Sequence, residues 1–563
     1  MKKLLALLLA LALTAALAGC SMLKPKAAKP PEENSAPEQV QVQAQEPLQP
    51  ESQAPAQEGE KTPEPAAPAD ETGDDGEPQP AAALGVYAAS ARLEGRADDG
   101  EQTLVYTIEY ETLSLETGEP EKLAEAIAAL NAERREYAEA ARDETAAEAN
   151  ERYAEQEAER PEPPEGETAP PIALDFAAVA ETRRFFVTRA DTRVLSAVEV
   201  ITRETAGAAA EGYLAVTIAA ETGETLAAGQ VFTDLDALSR AVCKRLAEKY
   251  PEDESLESLE EGLPALLKDN AACWSLGAEG AEFYFHTDSG RLLTACVSYA
   301  GNAELFEPYY AEPAEYRAEP IFTDEGFDAD FDGDGQSEEF RIERVKSDDG
   351  GADRLLMYTG DGEDYESFRF EGTGQEYYYV VAGEKRYLYV NALNGEDWGW
   401  TEVYELTGGE AEYIGTAEDS ARDASRCRII PGRSLMTDPL RFAMGRNVDL
   451  LGGFAAIRIY RVGEDGMPAP LDPMFNSDGE STLTLAQDLE VQGVTGKKVT
   501  LRAQTKLMLL STDGSWRVDV SDGQGIYSIY DTLSASGEYV NGLAVKDVFV
   551  ELAPAQTETE TAG

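Results

Sequence analysis

The chain has 563 residues and sets 47 Lys and Arg against 108 Asp and Glu, a formal charge of −61. Phosphate backbones repel such a polyanion, because their binding depends on clustered Lys and Arg, so nucleic-acid partners are excluded. A hydrophobic share of 42% with 25 Tyr, 17 Phe and 4 Trp is too rich for a wholly disordered acidic chain, and a single histidine, His286, excludes multi-His zinc sites and machinery needing two imidazoles.

Lys2 and Lys3 precede an apolar run from Leu4 to Ala18, the order of a secretory signal and too short for a bilayer span. The run ends in Leu17-Ala18-Gly19-Cys20, which resembles the lipobox of bacterial lipoproteins. That resemblance implies that residues 1–19 are a signal peptide and that Cys20 is diacylated and becomes the new N-terminus. The remaining chain would carry 45 basic and 108 acidic residues, a charge of −63. No other stretch reaches the ~18 apolar residues of a spanning helix. The expectation is an extracytoplasmic protein, lipid-anchored to the bacterial cell membrane and touching it only through the N-terminal diacylglycerol. Residues 20–83 are rich in Pro, Glu, Gln and Ala, a composition that cannot collapse and reads as a disordered acidic tether.

Residues 84–317 read as an α+β region. Leu104 to Tyr110 alternates like a strand. Leu123, Ile127 and Leu130 then start a helical pattern that runs to about Arg160, where Pro161, Pro163 and Pro164 stop it. Beyond Tyr137 the apolar positions are mostly alanine, so the distal half is expected to be a solvated extension held by charge pairs. Strands are expected at Phe185-Phe186-Val187, Val194 to Ile201 and Tyr213 to Ile218. A turn at Glu221 to Leu226 then leads into Val231-Phe232-Thr233-Asp234-Leu235 and a helix from about Asp236 to Lys249, and strands at Glu282 to Phe285 and Ala295 to Tyr299 close the region.

This order, with Thr222-Gly223-Glu224-Thr225-Leu226, Val231-Phe232-Thr233-Asp234 and Phe283-Tyr284-Phe285, resembles the RsiV-like extracellular domain pair over about residues 100 to 312. The pair occurs in the outer region of a lysozyme-sensing anti-sigma factor and in front of a peptidoglycan deacetylase. The resemblance implies an α+β fold that binds something at the cell wall, lysozyme in the best-known member. A lipoprotein lacks the cytoplasmic segment of an anti-sigma factor, and one histidine cannot furnish the deacetylase's metal site. His286, followed by Thr287-Asp288, reads as a strand-end residue beside a turn. Cys243, Cys273, Cys296 and Cys427 remain after Cys20; a bridge among the first three and buried free thiols are both open.

From Pro320 short aromatic and β-branched runs alternate with Gly and Asp, the texture of an all-β region, divided into residues 318–440 and 441–552 with a polar tail at 553–563. It opens on Asp328-Ala329-Asp330-Phe331-Asp332-Gly333-Asp334-Gly335-Gln336-Ser337-Glu338-Glu339. Carboxylates alternating along a tight loop can converge hard oxygens on Ca²⁺, while glycine permits the sharp turn. Asp328, Asp330, Asp332, Asp334 and Glu338 are the candidate ligands. A start at Asp328 with Glu339 in twelfth place is the EF-hand register, which needs flanking helices. A start at Asp330 is the shorter DxDGDGxxE form and suits the strand-like Phe340 to Val345, so it is preferred. Trp398 and Trp400 read as core anchors.

The expected whole is a non-enzymatic surface lipoprotein that binds a cell-wall or host component, either a lysozyme-like cationic protein or peptidoglycan. A carboxylate-dependent cell-wall hydrolase and a structural envelope-assembly lipoprotein are the competing readings.

Overall fold

The computed structural model describes residues 80–97, 103–116, 120–159, 179–205, 208–287, 290–322, 327–330, 338–345, 354–359, 365–369, 374–393, 399–407, 410–419, 425–430, 436–477, 481–493, 495–534 and 537–550. The expected signal peptide, Cys20, most of the tether, Asp288, Trp398 and the tail lie outside the described residues.

The first region builds a five-stranded sheet in the order β1 (Val86–Arg96), β2 (Leu104–Leu115), β3 (Val179–Ala190), β4 (Val194–Thr205), β5 (Ala208–Ala219). Neighbours are antiparallel except β2 and β3, which run parallel because helix α1 (Glu121–Glu159) lies in the crossover between them. Leu123, Ile127 and Leu130 of α1 join a core with Val86, Leu113, Phe185, Val187 and Leu195, as their spacing predicts.

The expectation of a solvated distal half is corrected. Ala138, Thr145 and Ala149 are fully buried, and Ala138 and Ala149 pack with Val105, Ile108, Tyr110 and Val179 of the sheet. Alanine at helical spacing is a narrow face that lets the helix backbone come close to the strands, so small side chains here mark contact. Buried and half-buried ion pairs fasten the same layer. Arg134 lies 2.7 Å from Glu199, Arg183 reaches Glu181 at 3.2 Å and Glu199 at 3.1 Å, and Arg203 joins Glu148 of α1 at 2.7 Å to Glu181 at 3.1 Å.

After β5, Gly223 adopts φ +72° and faces the carbonyl of Lys122 on α1, where a Cβ would sit 2.5 Å from that oxygen. The turn therefore needs glycine for both conformation and space. Val231 ends a short helical turn (Ala228–Val231), and Asp234 caps α2 (Leu235–Lys249) by accepting the Ala237 N–H at 2.9 Å. A further helix, α3 (Leu256–Lys268), was not among the expected elements and holds Pro264 inside it. Leu238, Val242, Leu246, Leu263 and Leu267 from these helices cover one face of an antiparallel sheet of β6 (Cys273–Leu276), β7 (Gly280–His286) and β8 (Leu292–Ser298).

The second region is almost wholly strands. β9 (Tyr316–Ile321) pairs at the edge of a sheet with β14 (Gly374–Ala382), followed by β15 (Lys385–Leu393), β16 (Trp400–Thr407) and β17 (Glu410–Thr416). β10 (Phe327–Ala329), β11 (Glu338–Val345), β12 (Arg354–Thr359) and β13 (Tyr365–Arg369) form a second sheet. The unbroken run Tyr377 to Val381 is apolar in both phases because β14 is covered on both faces. Tyr379 and Val381 face a core with Phe327 and Phe340, and Tyr378 and Val380 one with Phe442, Met444 and Tyr460. Strands from Arg428–Ile429 to Phe549–Val550 make the last sheet. β9 runs through the division expected at 317, and the core of Tyr378 with Phe442 spans that expected at 440, so packing is continuous across both.

Candidate functional site

The sheet of β6, β7 and β8 has two unlike faces. Phe283, Phe285, Leu293, Ala295 and Val297 point into the core beneath α2 and α3. In the opposite phase stand Ser275, Glu282, Tyr284, Thr294 and Cys296, whose face meets the rest of the chain. Leu276 N–H donates to Ser196 at 2.9 Å, and the Cys273 thiol to the Tyr213 carbonyl at 3.6 Å.

Against this polar face lies a cavity of about 20 Å³ lined by Glu282, Tyr284, Thr294, Cys296, Phe322 and Asp328, among others. That is room for about one water. The Tyr284 hydroxyl donates to Glu282 and shares a contact with Ser275 at 3.2 Å. Burial raises the Glu282 carboxyl to about 7, against the opposing pull of the Tyr284 hydrogen bond. Burial also holds Glu319 well above the ordinary carboxylate range; one of its oxygens accepts the Ala278 N–H at 2.6 Å. The Cys296 thiol is pushed well up and Cys273 to about 12, both by burial, so neither is a thiolate nucleophile near neutrality. All four cysteines after Cys20 are free thiols.

The acid-rich segment of the sequence docks beside this cavity. Its first and last parts form a hairpin, with Phe327 opposite Phe340, Asp328 opposite Glu339 and Ala329 opposite Glu338. Two cations one helical turn apart on α2 meet the opposed carboxylates. Arg245 donates to Asp328 at 2.7 and 3.4 Å, and Lys249, whose side chain is buried, lies 3.9 Å from Glu339 while donating to Thr294 at 3.1 Å. Strands rather than helices flank the loop, so the EF-hand register is excluded. The Asp328 carboxylate, counted as a candidate ligand, is held in this ion pair. Asp330 is buried at the end of β10, Asp332 and Asp334 lie outside the described residues, and Glu338 begins β11. Among the described residues no cluster of three His, Cys, Asp or Glu is placed to hold a metal.

Other sequence candidates fall at separate places. His286 is exposed at the end of β7 with its ring tilted against Tyr213 at 5.3 Å, and burial of its inner side lowers its proton affinity. Trp400 is half-buried against the core of Tyr379 and Leu388 and donates to Glu402 at 2.9 Å, which fits the anchoring role. Glu282, Glu319, Arg245 and Lys249 were not singled out from the sequence. The available signal was the phase of β7, where Glu282, Tyr284 and His286 alternate with Ala281, Phe283 and Phe285.

No known protein family and no curated protein matches the chain. Among the solved structures similar to part of it are two DUF3298 proteins. A DUF3298 family member from Bacteroides fragilis shares 14% identity at a TM-score of 0.29, covering 42% of this chain and 98% of that one. A DUF3298 family protein from Pseudomonas aeruginosa shares 10% identity at a TM-score of 0.24, covering 41% and 97%. At these scores neither likeness assigns an activity.

Proposed function

We propose that this chain is a lipid-anchored extracytoplasmic binding protein whose α+β region engages a cationic protein, lysozyme-like in charge, or peptidoglycan at the cell wall. The observation that carries this reading is how charge is partitioned. The side chains of Arg183, Arg189, Arg193, Lys249, Arg446 and Arg458 are buried. Glu125, Glu136, Glu139, Glu257, Glu260 and Glu261 stay exposed on α1 and α3. Buried acids such as Glu111, Glu181, Asp191, Glu199, Glu319 and Asp531 offset these cations, so the excess of acids is left on the surface, and such a field steers cationic partners. Isothermal titration of residues 21–563 with lysozyme at low and high salt is the test. Heat that exceeds a neutral control protein's and shrinks with salt is expected; a signal equal to the control's rejects the cationic partner.

The Asp330–Glu338 loop is proposed to hold Ca²⁺ through Asp330, Asp332, Asp334 and Glu338, carboxylates whose mutual repulsion a cation relieves. EGTA should lower the melting temperature, and Asp332→Asn with Asp334→Asn should abolish that difference. No EGTA effect in either protein would leave the loop a simple turn. A carboxylate-dependent hydrolase is the second reading, prompted by Glu282 beside Asp328 at the cavity. The room for about one water disfavours it, since a glycan needs a cleft. Zymography on purified peptidoglycan with wild type and Glu282→Gln separates the two.

A further inference from the structure

We propose that the outer face of the last sheet is a binding surface for an uncharged glycan chain. Five strands lie side by side there, in the order Phe475–Ser477, Lys506–Thr512, Arg517–Ser521, Ile526–Ser534 and Leu489–Gly493. One phase of each is core, where Phe475, Leu509, Val518, Val520, Ile529 and Val491 pack together. The other phase turns outward. Its register aligns Asn476, Ser511, Asp519, Ser528 and Gln492 into one polar row across the strands, about 19 Å long at the usual strand spacing. Asn476 and Gln492 are exposed at its ends, and Asp519 and Ser528 form its floor. Apolar groups border the row on both sides. Trp516, 53% exposed, sits in the turn with its ring centre 5.4 Å from that of Tyr530, and Tyr530 stands opposite Arg517. Met508 and Ile526, 40% and 45% exposed, flank Ser521 on the far side.

A polar strip between apolar borders matches a pyranose chain, whose hydroxyls lie at the ring edges and whose C–H groups form the ring faces that stack on an exposed indole. Charge selects an uncharged occupant. Residues 481–530 hold five Lys or Arg and five Asp or Glu, in a chain whose formal charge is −61. The acids of the outer face are paired. Arg517 donates to both oxygens of Asp519 at 2.9 and 2.8 Å, Ser528 donates to the same carboxylate at 2.6 Å, and Lys498 donates to Glu490 at 2.6 Å. The paired fork fixes the plane of the Arg517 guanidinium while 39% of that side chain stays exposed to donate to hydroxyls. A face neutralised in this way neither steers a cationic protein nor repels an uncharged polymer. The site lies apart from the α+β region, so it stands or falls independently of the partner proposed for that region.

The test is isothermal titration of residues 21–563 with hexamers and dimers of β-linked N-acetylglucosamine and of β-linked glucose. Binding of at least one hexamer is expected, with an affinity that salt leaves unchanged and that falls for the matching dimer, because the row is longer than one or two rings. Trp516→Ala should weaken the hexamer about tenfold, and Trp516→Phe, which keeps a ring to stack on, should retain most of the affinity. Asn476→Ala with Gln492→Ala should weaken it about threefold or more. Tyr413→Ala removes an equally exposed ring from β17 and should change nothing. No heat from any of these sugars up to about 5 mM overturns the proposal. So does an affinity indifferent to Trp516→Ala, or one that Tyr413→Ala weakens as much. Loss of a lysozyme signal in Trp516→Ala would assign this face to a protein and overturn it as well.

Discussion

Glu282 sits in the polar phase of β7, where neutral protonation suits the buried face better than charge. Its carboxyl is raised from the ordinary value near 4.5 to about 7 by desolvation, with Asp328 adding repulsion and Lys249 opposing it. A group raised in the folded state contributes stability that is full below its unfolded value and is lost as pH climbs through its folded value. The protein should therefore lose stability between about pH 4.5 and 7 through this residue, by about 3 kcal/mol. Glu282→Gln keeps an acceptor for Tyr284 and cannot ionise. Urea denaturation at pH 5 and pH 8 should show a flattened pH slope and a more stable protein at pH 8; an unchanged slope would show that Glu282 titrates normally. Arg183 poses the opposite case, a permanent charge between Glu181 and Glu199, its guanidinium 3.6 Å from the centre of the Tyr137 ring. Arg183→Ala strands Glu199 with less compensation and should cost about 3–5 kcal/mol in the same measurement. None of this site was legible as a site. The Asp-rich loop stood out because its acids are adjacent, but its docking cation Arg245 lies 83 residues from Asp328, and only the fold brings them together.

At the scale of elements the sequence was read best where period and polarity agree. α2 and the first turns of α1 show strong apolar phases, and each falls where its pattern puts it. The distal half of α1 was misread because hydrophobicity was weighed without closeness: alanine removes little apolar area from water, yet it permits a near approach that larger side chains forbid. α3 went unread although Leu259, Leu263 and Leu267 recur at helical spacing and pack on the core, Pro264 notwithstanding. The corrected reading of α1 makes a positional prediction. Ala149 is fully buried and Ala147 is exposed on the same helix. Ala149→Leu should destabilise by about 1–3 kcal/mol through overpacking, while Ala147→Leu should stay within about 0.5 kcal/mol of wild type. Equal effects at the two positions would return the distal helix to solvent.

Across the whole molecule the charge that first excluded nucleic acid separates into two populations with opposite responses to salt. Buried pairs such as Arg189 with Asp191 at 2.7 Å, or Arg183 with Glu199, exclude the ions that would screen them. Exposed pairs such as Lys498 with Glu490 and Arg502 with Asp488 contribute little individually and weaken as salt is added. The remaining acids repel one another over the surface, and at a formal −61 that self-repulsion outnumbers the exposed pairs. Raising ionic strength from 0.01 M to about 0.15 M shortens the screening length from about 30 Å to about 8 Å, which removes most repulsion between distant carboxylates and leaves buried pairs intact. The melting temperature should therefore rise with sodium chloride over that interval and level off beyond it. If exposed ion pairs held the fold together, the same titration would lower the melting temperature, and scanning calorimetry in a weakly binding buffer distinguishes the two signs. The measurement needs EGTA present throughout, so that trace cation in the Asp330–Glu338 loop does not add its own stabilisation to that of screening.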